Sequence, residues 1–274
     1  MDELLRARAG FRLDTIDCST TPGIAADKKR ASQLLAEGAE HLSDLQERLF
    51  AASRGGDTRR VLLVLQAMDT AGKGGIVRHV VGAVDPQGVQ LAAFKKPTDE
   101  ELAHHFLWRI EKRLPEVGMI GVFDRSHYED VLIGRVRSLA PADEIERRYG
   151  EIVDFERRLA DDGVSIVKVM LHISSDEQKA RLQERLERPD KHWKYNPGDV
   201  DERMLWDDYQ RAYQVAIERT DADHAPWFVV PANHKWYARL AVQSLLITAL
   251  ERIDPQWPVA DFDVEVEKGR LAAT

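Results

Sequence analysis

The sequence predicts an α/β fold: a five-stranded parallel sheet with helices on both faces and a helical lid. Three observations lead there. Short apolar runs rich in Val, Ile and Leu alternate with segments of helical length, the pattern of a sheet buried on both faces. The first run enters a small-residue turn ending in Gly-Lys, followed by a helix. The third run ends in an acid, at the edge where open α/β sheets collect ligands.

Residues 1–26 are mixed and turn-rich, with Thr21-Pro22-Gly23, and are expected to wrap the surface. Asp27 starts a helix that runs to about Ala52. Its stripe of Ala31, Leu35, Leu42, Leu45 and Leu49 packs on the domain or on a second copy. Arg54-Gly55-Gly56-Asp57 closes the helix. Val61 to Gln66 reads as the first strand. The turn Ala71-Gly72-Lys73-Gly74-Gly75 follows, then helix from Ile76 to Val84. In this context the turn is a phosphate-binding loop: backbone N–H groups favour an anion and Lys73 adds a point charge. Against G-x-x-x-x-G-K-[ST], Ala67 replaces the first Gly and Gly74 replaces the hydroxyl residue. The loop carries Asp69 instead. A carboxylate beside phosphates makes sense with a cation between them, so Asp69 is a candidate Mg²⁺ ligand. The alternative is an ordinary capping Asp on a Gly-rich helix entry.

Asp85-Pro86-Gln87-Gly88 is a turn, and Val89 to Phe94 is the second strand. It ends in Lys95-Lys96-Pro97, which either faces a ligand at the carboxyl edge or forms a solvated turn. Asp99-Glu100-Glu101 opens a helix expected over Leu102 to Leu114. Its adjacent His104 and His105 point in different directions and suit packing or surface roles rather than a metal. Met119 to Asp124 is the third strand, with the Walker B pattern of an apolar run ending in a carboxylate. Arg125 follows within reach of a phosphate, and Glu129 and Asp130 add acids to the same edge. Ser126 and His127, neighbours in sequence, suit packing rather than a hydrolytic pair. A helical region with mixed charges runs to about Asp162, and Val164 to Ile173 is the fourth strand.

Ser174-Ser175-Asp176 caps the next helix. Arg181, Arg185 and Arg188 share one face of it, and the helix breaks at Pro189 before Lys191 and Lys194. This predicts a lid that closes basic side chains over phosphates. The alternative is a charged surface helix offset by Glu184 and Glu187. Helix resumes over residues 201–222, Trp227 to Pro231 is the fifth strand, and a last helix covers about His234 to Arg252. The tail past Asp254 is expected to lie on the surface or fray.

The chain has 274 residues and 43% hydrophobic content, which fits a single domain over 1–274. Within it, 1–55 forms a helical extension, about 180–205 the lid and 255–274 the tail. A net charge of -8 argues against nucleic-acid binding through overall charge, while leaving room for a local basic groove. Cys18 is the only cysteine, so no intrachain disulfide forms. No secretory h-region and no apolar run of membrane length is visible. The expectation is a cytoplasmic protein that binds neither nucleic acid nor membrane.

Taken together, the segments QAMDTAGKGGIVRH, PQGVQ, FKKPT, FDRSHYEDVL, RLQERLERPDKHWKYNPGD and HAPWFVVPANHKWY resemble the polyphosphate kinase 2 family, over roughly Leu13 to Pro258. The resemblance implies a P-loop kinase fold of three layers with a helical lid. It implies phosphoryl transfer between inorganic polyphosphate and nucleoside mono- or diphosphates (AMP or ADP, with GMP and GDP as further acceptors). Mg²⁺ is the implied ion, with Mn²⁺ as its substitute. Lys73, with Ala71, Gly72, Gly74, Gly75 and Arg78, would hold phosphates. Asp69 and Asp124 would position Mg²⁺. Arg125 and Arg185 would neutralise the transferring group, and Arg181, Lys191 and Lys194 would extend the polyphosphate groove. Lys95, Lys96, Pro97 and Glu129 would face the nucleotide.

The HYED sequence with Glu129 resembles the class III branch, where this glutamate is associated with monophosphates. Asp124 stands where that branch often has Asn and the diphosphate-using branch has Asp. A diphosphate-only enzyme is therefore an open alternative. So are an ATP-dependent nucleotide kinase on the same fold and a P-loop module that binds nucleotide for regulation. A homo-oligomer, dimer or tetramer, is a further expectation. The chemistry needs no strong general base, because a phosphate oxygen is already an anionic nucleophile; alignment and charge neutralisation do the rest.

Overall fold

A computed structural model describes residues 1–274. Helix α1 (Asp2–Leu5) is one turn, after which Arg6 bridges to Phe228. Helix α2 (Lys28–Arg54) is capped by Asp27, whose carboxylate accepts from Arg30 N at 2.7 Å. Its apolar stripe packs within the chain: Leu42, Leu45 and Leu49 join the same core cluster as residues of the last long helix. The amide of Gln243 donates to Leu35 O at 2.9 Å across that contact.

Strand β1 (Arg60–Ala67) is buried along its whole length. It leads through the small-residue loop into helix α3 (Lys73–His79). This helix starts three residues before the expected Ile76 and stops at His79, with a separate 3₁₀ turn over Val81–Ala83. Two β-branched residues and Gly82 oppose its continuation. Strand β2 (Val89–Ala93) precedes α4 (Asp99–Leu102), which carries a full capping box between Thr98 and Glu101. The single helix expected over Leu102 to Leu114 is instead two separate turns, α4 and α5 (Trp108–Glu111). Tertiary contacts override helix propensity there. Arg109 is 6% exposed, donates to Lys95 O at 2.9 Å and lies over the Phe94 ring.

Strand β3 (Ile120–Asp124) is followed by α6 (Ile133–Val136) and α7 (Ala142–Asp161). Strand β4 (Val164–His172) feeds α8 (Ser175–Glu187), capped by Ser174. A 3₁₀ segment over Pro189–Lys194 then leads to α9 (Gly198–Arg203) and α10 (Trp206–Thr220). Strand β5 (Trp227–Pro231) and α11 (Lys235–Ile253) complete the core. The tail forms α12 (Val264–Ala272), a helix the sequence reading did not single out; Asp263 caps it and none of its residues is buried.

The five strands are all parallel, in the order β2-β3-β1-β4-β5. β1 is central, and the chain order reverses across it, so the switch-point crevice opens at its carboxyl end. Register places Asp124 beside Leu65, at the mouth of that crevice. Side chains alternate between two apolar clusters, Leu63 and Leu65 on one face, Leu62 and Val64 on the other. Each fully buried Leu or Val contributes roughly 1.5–3 kcal/mol of transfer free energy, which anchors the frame that holds the loops.

Candidate active site

A cavity of about 520 Å³ opens at the carboxyl edge of β1, β2 and β3. Its floor is the loop Asp69–Gly75. The backbone N–H groups of Gly72, Lys73 and Gly74 make no hydrogen bond within the chain. Gly72 has φ 122, a conformation open mainly to glycine, and the turn into α3 depends on it. Lys73 Nζ donates to Ala67 O at 3.1 Å, which leaves its remaining protons for a ligand.

The two acids expected together are together: Asp69 and Asp124 both line this cavity. Asp69 Oδ1 accepts from Arg125 Nη2 at 2.9 Å. Asp124 forms no ion pair in the chain. No three His, Cys, Asp or Glu side chains gather to hold a metal by themselves. Two carboxylates facing a phosphate loop fit Mg²⁺, which takes one or two carboxylates and completes its shell with waters and substrate phosphates.

Arg125 has φ 64, a left-handed conformation costly for a non-glycine residue. Burial opposes its charge, but Glu129 and Asp69 hold its pKa above the ordinary arginine value. Arg185 lines the same cavity from α8, with Nη1 donating to Lys194 O at 2.9 Å and to Asp199 at 3.2 Å. Arg78, Lys191 and Lys194 line it as expected, and Lys95, expected at the nucleotide, lines it as well.

Three expectations are corrected. Arg181 does not face the cavity. It is 5% exposed and its donors are all turned inward, to Glu177 and to backbone carbonyls. Its helical spacing with Arg185 and Arg188 was real, but only Arg185 reaches the cavity; Arg188 pairs with Glu184 and Asp190 at the surface. Lys96, expected to face the nucleotide, sits exposed in the bend after β2 and lines neither the phosphate-loop cavity nor the Glu129 cavity. Pro97 borders a separate groove with Arg109 and Asp130.

Glu129 lies in a second cavity of about 210 Å³, with Leu132, Ile133, Asp199, Tyr209 and Tyr213. Asp69 and Arg125 border both cavities, so their ion pair forms the partition. Burial lifts the Glu129 carboxyl above its ordinary range, against the pull of Arg125 and Lys73. The hydrogen-bond network orients the buried Gln66 amide so that its nitrogen donates to Glu129 at 2.9 Å and its oxygen accepts from Ser126 N at 3.1 Å. Between its ordinary value of 4.5 and the raised one, the folded chain keeps a proton that the unfolded chain releases. Stability therefore falls as pH rises through that window. Glu129→Gln removes this term, so its melting temperature relative to the native chain should rise as pH climbs from 4.5 through the raised value and level off above it. Parallel melting curves of the two proteins at all pH values would refute the assignment.

Sequence reasoning missed Gln66, His79, Lys235 and Arg239. The last two begin α11, four residues apart and just past β5, a spacing that could have revealed them. In total nine Lys or Arg side chains and only two carboxylates line the cavity, in a chain of net charge -8. Burial first, and neighbouring cations second, depress the pKa of three of the lining groups. Burial and then Arg78 lower Arg239, burial and then Arg181 lower Lys235, and burial, Arg239 and Arg78 lower His79. Such a pocket demands an anion carrying several charges.

The family model described as Polyphosphate kinase 2 (PPK2) matches residues 25–258. An AMP/ADP-polyphosphate phosphotransferase from Meiothermus ruber is 46% identical over 248 residues, spanning 90% of this chain and 91% of that protein. An ADP-polyphosphate phosphotransferase from Rhodopseudomonas palustris is 42% identical, spanning 84% of this chain and 83% of its own. The crystal structure of polyphosphate kinase 2 from Arthrobacter aurescens TC1 is 59% identical, with a TM-score of 0.97 over 98% of this chain and 95% of that one. No helix is long and apolar enough to cross a membrane.

Proposed function

Since the chain belongs to the polyphosphate kinase 2 family, we propose that it moves phosphoryl groups between inorganic polyphosphate and both AMP and ADP, with guanine nucleotides as further acceptors. It is a phosphotransferase acting between polyphosphate and nucleotides. The observation that carries the reading is the cationic cavity, with nine Lys or Arg against two Asp, joined to a smaller cavity through Asp69 and Arg125.

In this reading polyphosphate lies along the cationic cavity, with its terminal group over the loop N–H groups and Lys73. The nucleoside occupies the smaller cavity against Tyr209 and Tyr213, and its phosphate meets the partition. An acceptor phosphate oxygen attacks the terminal phosphorus of polyphosphate. The bridging P–O bond breaks, and the shortened polyphosphate leaves with that oxygen and its electron pair. Arg125 and Arg185 neutralise charge on the transferring group, and no side chain has to remove a proton. Asp69 and Asp124 are the residues that would hold Mg²⁺, with Mn²⁺ as a substitute. When bound, the ion spreads the charge of the phosphates it touches. A cytoplasmic setting and a dimer or tetramer complete the proposal.

The decisive experiment supplies polyphosphate, Mg²⁺ and one of AMP, ADP, GMP or GDP, without ATP. The expected products are ADP and ATP from AMP, ATP from ADP, and the corresponding guanine nucleotides. Product from ADP but none from AMP would select the diphosphate-only reading, and product only with added ATP would select the ATP-dependent kinase.

The lid carries its own prediction. Arg185→Ala should raise the KM for polyphosphate about tenfold and change the nucleotide KM less than about threefold, because only one of the two substrates meets this side chain. An unchanged polyphosphate KM would remove Arg185 from the binding path.

A further inference from the structure

A phosphate cradle requires backbone N–H groups turned toward the anion, which leaves the matching carbonyls needing partners elsewhere. In this loop three consecutive carbonyls are taken by side chains of a single helix. Gln178 Nε2 donates to Asp69 O at 3.2 Å. Arg181 Nη1 donates to Thr70 O at 3.0 Å and to Ala71 O at 2.9 Å. Arg181 Nη2 donates to Ala232 O at 2.7 Å and Asn233 O at 3.0 Å, and Nε to Glu177 at 2.6 Å. All five guanidinium N–H groups are thereby used. Gln178 is 1% exposed, and Arg203 fixes its orientation by donating to its Oε1 at 3.0 Å. Thr70, between these carbonyls, has φ 66, a conformation a β-branched residue adopts only when its surroundings impose it.

We infer that Gln178 and Arg181 are positioning residues for phosphoryl transfer: they hold the Asp69–Ala71 carbonyls away from the phosphates and so aim the loop N–H groups at them. The same bonds tie the first two turns of α8 to the phosphate loop and to the segment after β5. The moving part of the lid therefore begins beyond Arg181, and Arg185 is the first arginine free to swing. This inference rests on the reading of Asp69–Gly75 as the phosphate site.

The test measures binding of inorganic tripolyphosphate by calorimetry, together with kcat, both KM values and the melting temperature. Arg181→Lys keeps the charge but has three donors and cannot span both backbone segments. Gln178→Glu keeps the shape and replaces the donor with a carboxylate facing Asp69 O. Each should weaken tripolyphosphate binding and lower kcat at least about tenfold, with the nucleotide KM changed less than about threefold. If Arg181→Lys fails to fold, Gln178→Glu decides alone. Variants that melt lower but bind tripolyphosphate and turn over like the native chain would show a purely structural role and overturn the inference. If the native chain itself does not bind tripolyphosphate, the reading of the loop fails and the inference with it.

Discussion

Asp69→Asn, Lys73→Ala and Asp124→Asn should each lower kcat by about 100-fold or more, the scale on which removing one charge-stabilising group acts in a preorganised site. The fold should survive all three. Asp124 has no ion-pair partner to lose, and Lys73 gives up only its bond to Ala67 O. Asp69 loses one half-exposed pair with Arg125, a kind of contact that contributes about 1 kcal/mol or less. Melting temperatures should therefore move by only a few degrees while turnover collapses. The three effects differ in detail. Lys73→Ala removes a positive charge and should weaken polyphosphate binding as well as turnover. Asp69→Asn and Asp124→Asn remove negative charge from a cationic pocket, so polyphosphate should bind as well or better while transfer stops. Measuring kcat and tripolyphosphate affinity on the same preparations separates the two patterns. Near-native turnover in all three variants would end the proposed site.

The sheet and the loop were legible in the sequence because each depends on local signals. Trp227 to Pro231 is a strand with the expected bounds, since an apolar run between turn residues has one reading. Asp69, Lys73, Asp124 and Arg125 were legible because strand ends in a parallel sheet converge on one edge. The misplaced arginine, the broken helix and the buried glutamine depended on long-range contacts. The arginine stripe of α8 is a helix face, as its spacing implies, yet one helix face can meet two surfaces. Arg181 lies a turn closer to the root, where the loop backbone is near enough to consume its donors, and Arg185 lies beyond it. The helix expected over Leu102 to Leu114 broke for the same kind of reason, since Arg109 serves the Lys95 backbone instead of a continuous helix. Gln66 left no trace at all: a polar residue in a buried strand becomes informative only when its partners, Ser126 and Glu129, are in place.

A second large effect lies behind the site, and it concerns stability. Lys168 sits in the middle of β4 and is fully buried. Its three ammonium hydrogens go to Glu156 at 2.6 Å, Tyr128 Oη at 2.9 Å and Thr220 O at 2.8 Å. Glu156 also accepts from Tyr128 at 2.9 Å and lies 3.2 Å from His127 Nε2. Burial disfavours the Glu156 carboxylate, yet Lys168 and His127 hold its pKa below the ordinary range. Its share of stability is present above 4.5 and is lost as pH falls through the depressed value. Tyr128 and His127 belong to the same short turn as Ser126 and Glu129, directly after Arg125, so this network also fixes the segment that carries Arg125. Lys168→Met would strand a buried carboxylate and should cost about 3–5 kcal/mol, on the order of a 10 °C fall in melting temperature. Lys168→Met combined with Glu156→Leu should recover much of that loss, because a buried pair replaced by apolar groups of similar volume is often neutral. Recovery of stability need not restore the turn after Arg125, which loses its anchors to Tyr128 and His127. The double variant should therefore be stable but slow, and a double variant with native turnover would show that this network holds the fold without tuning the site.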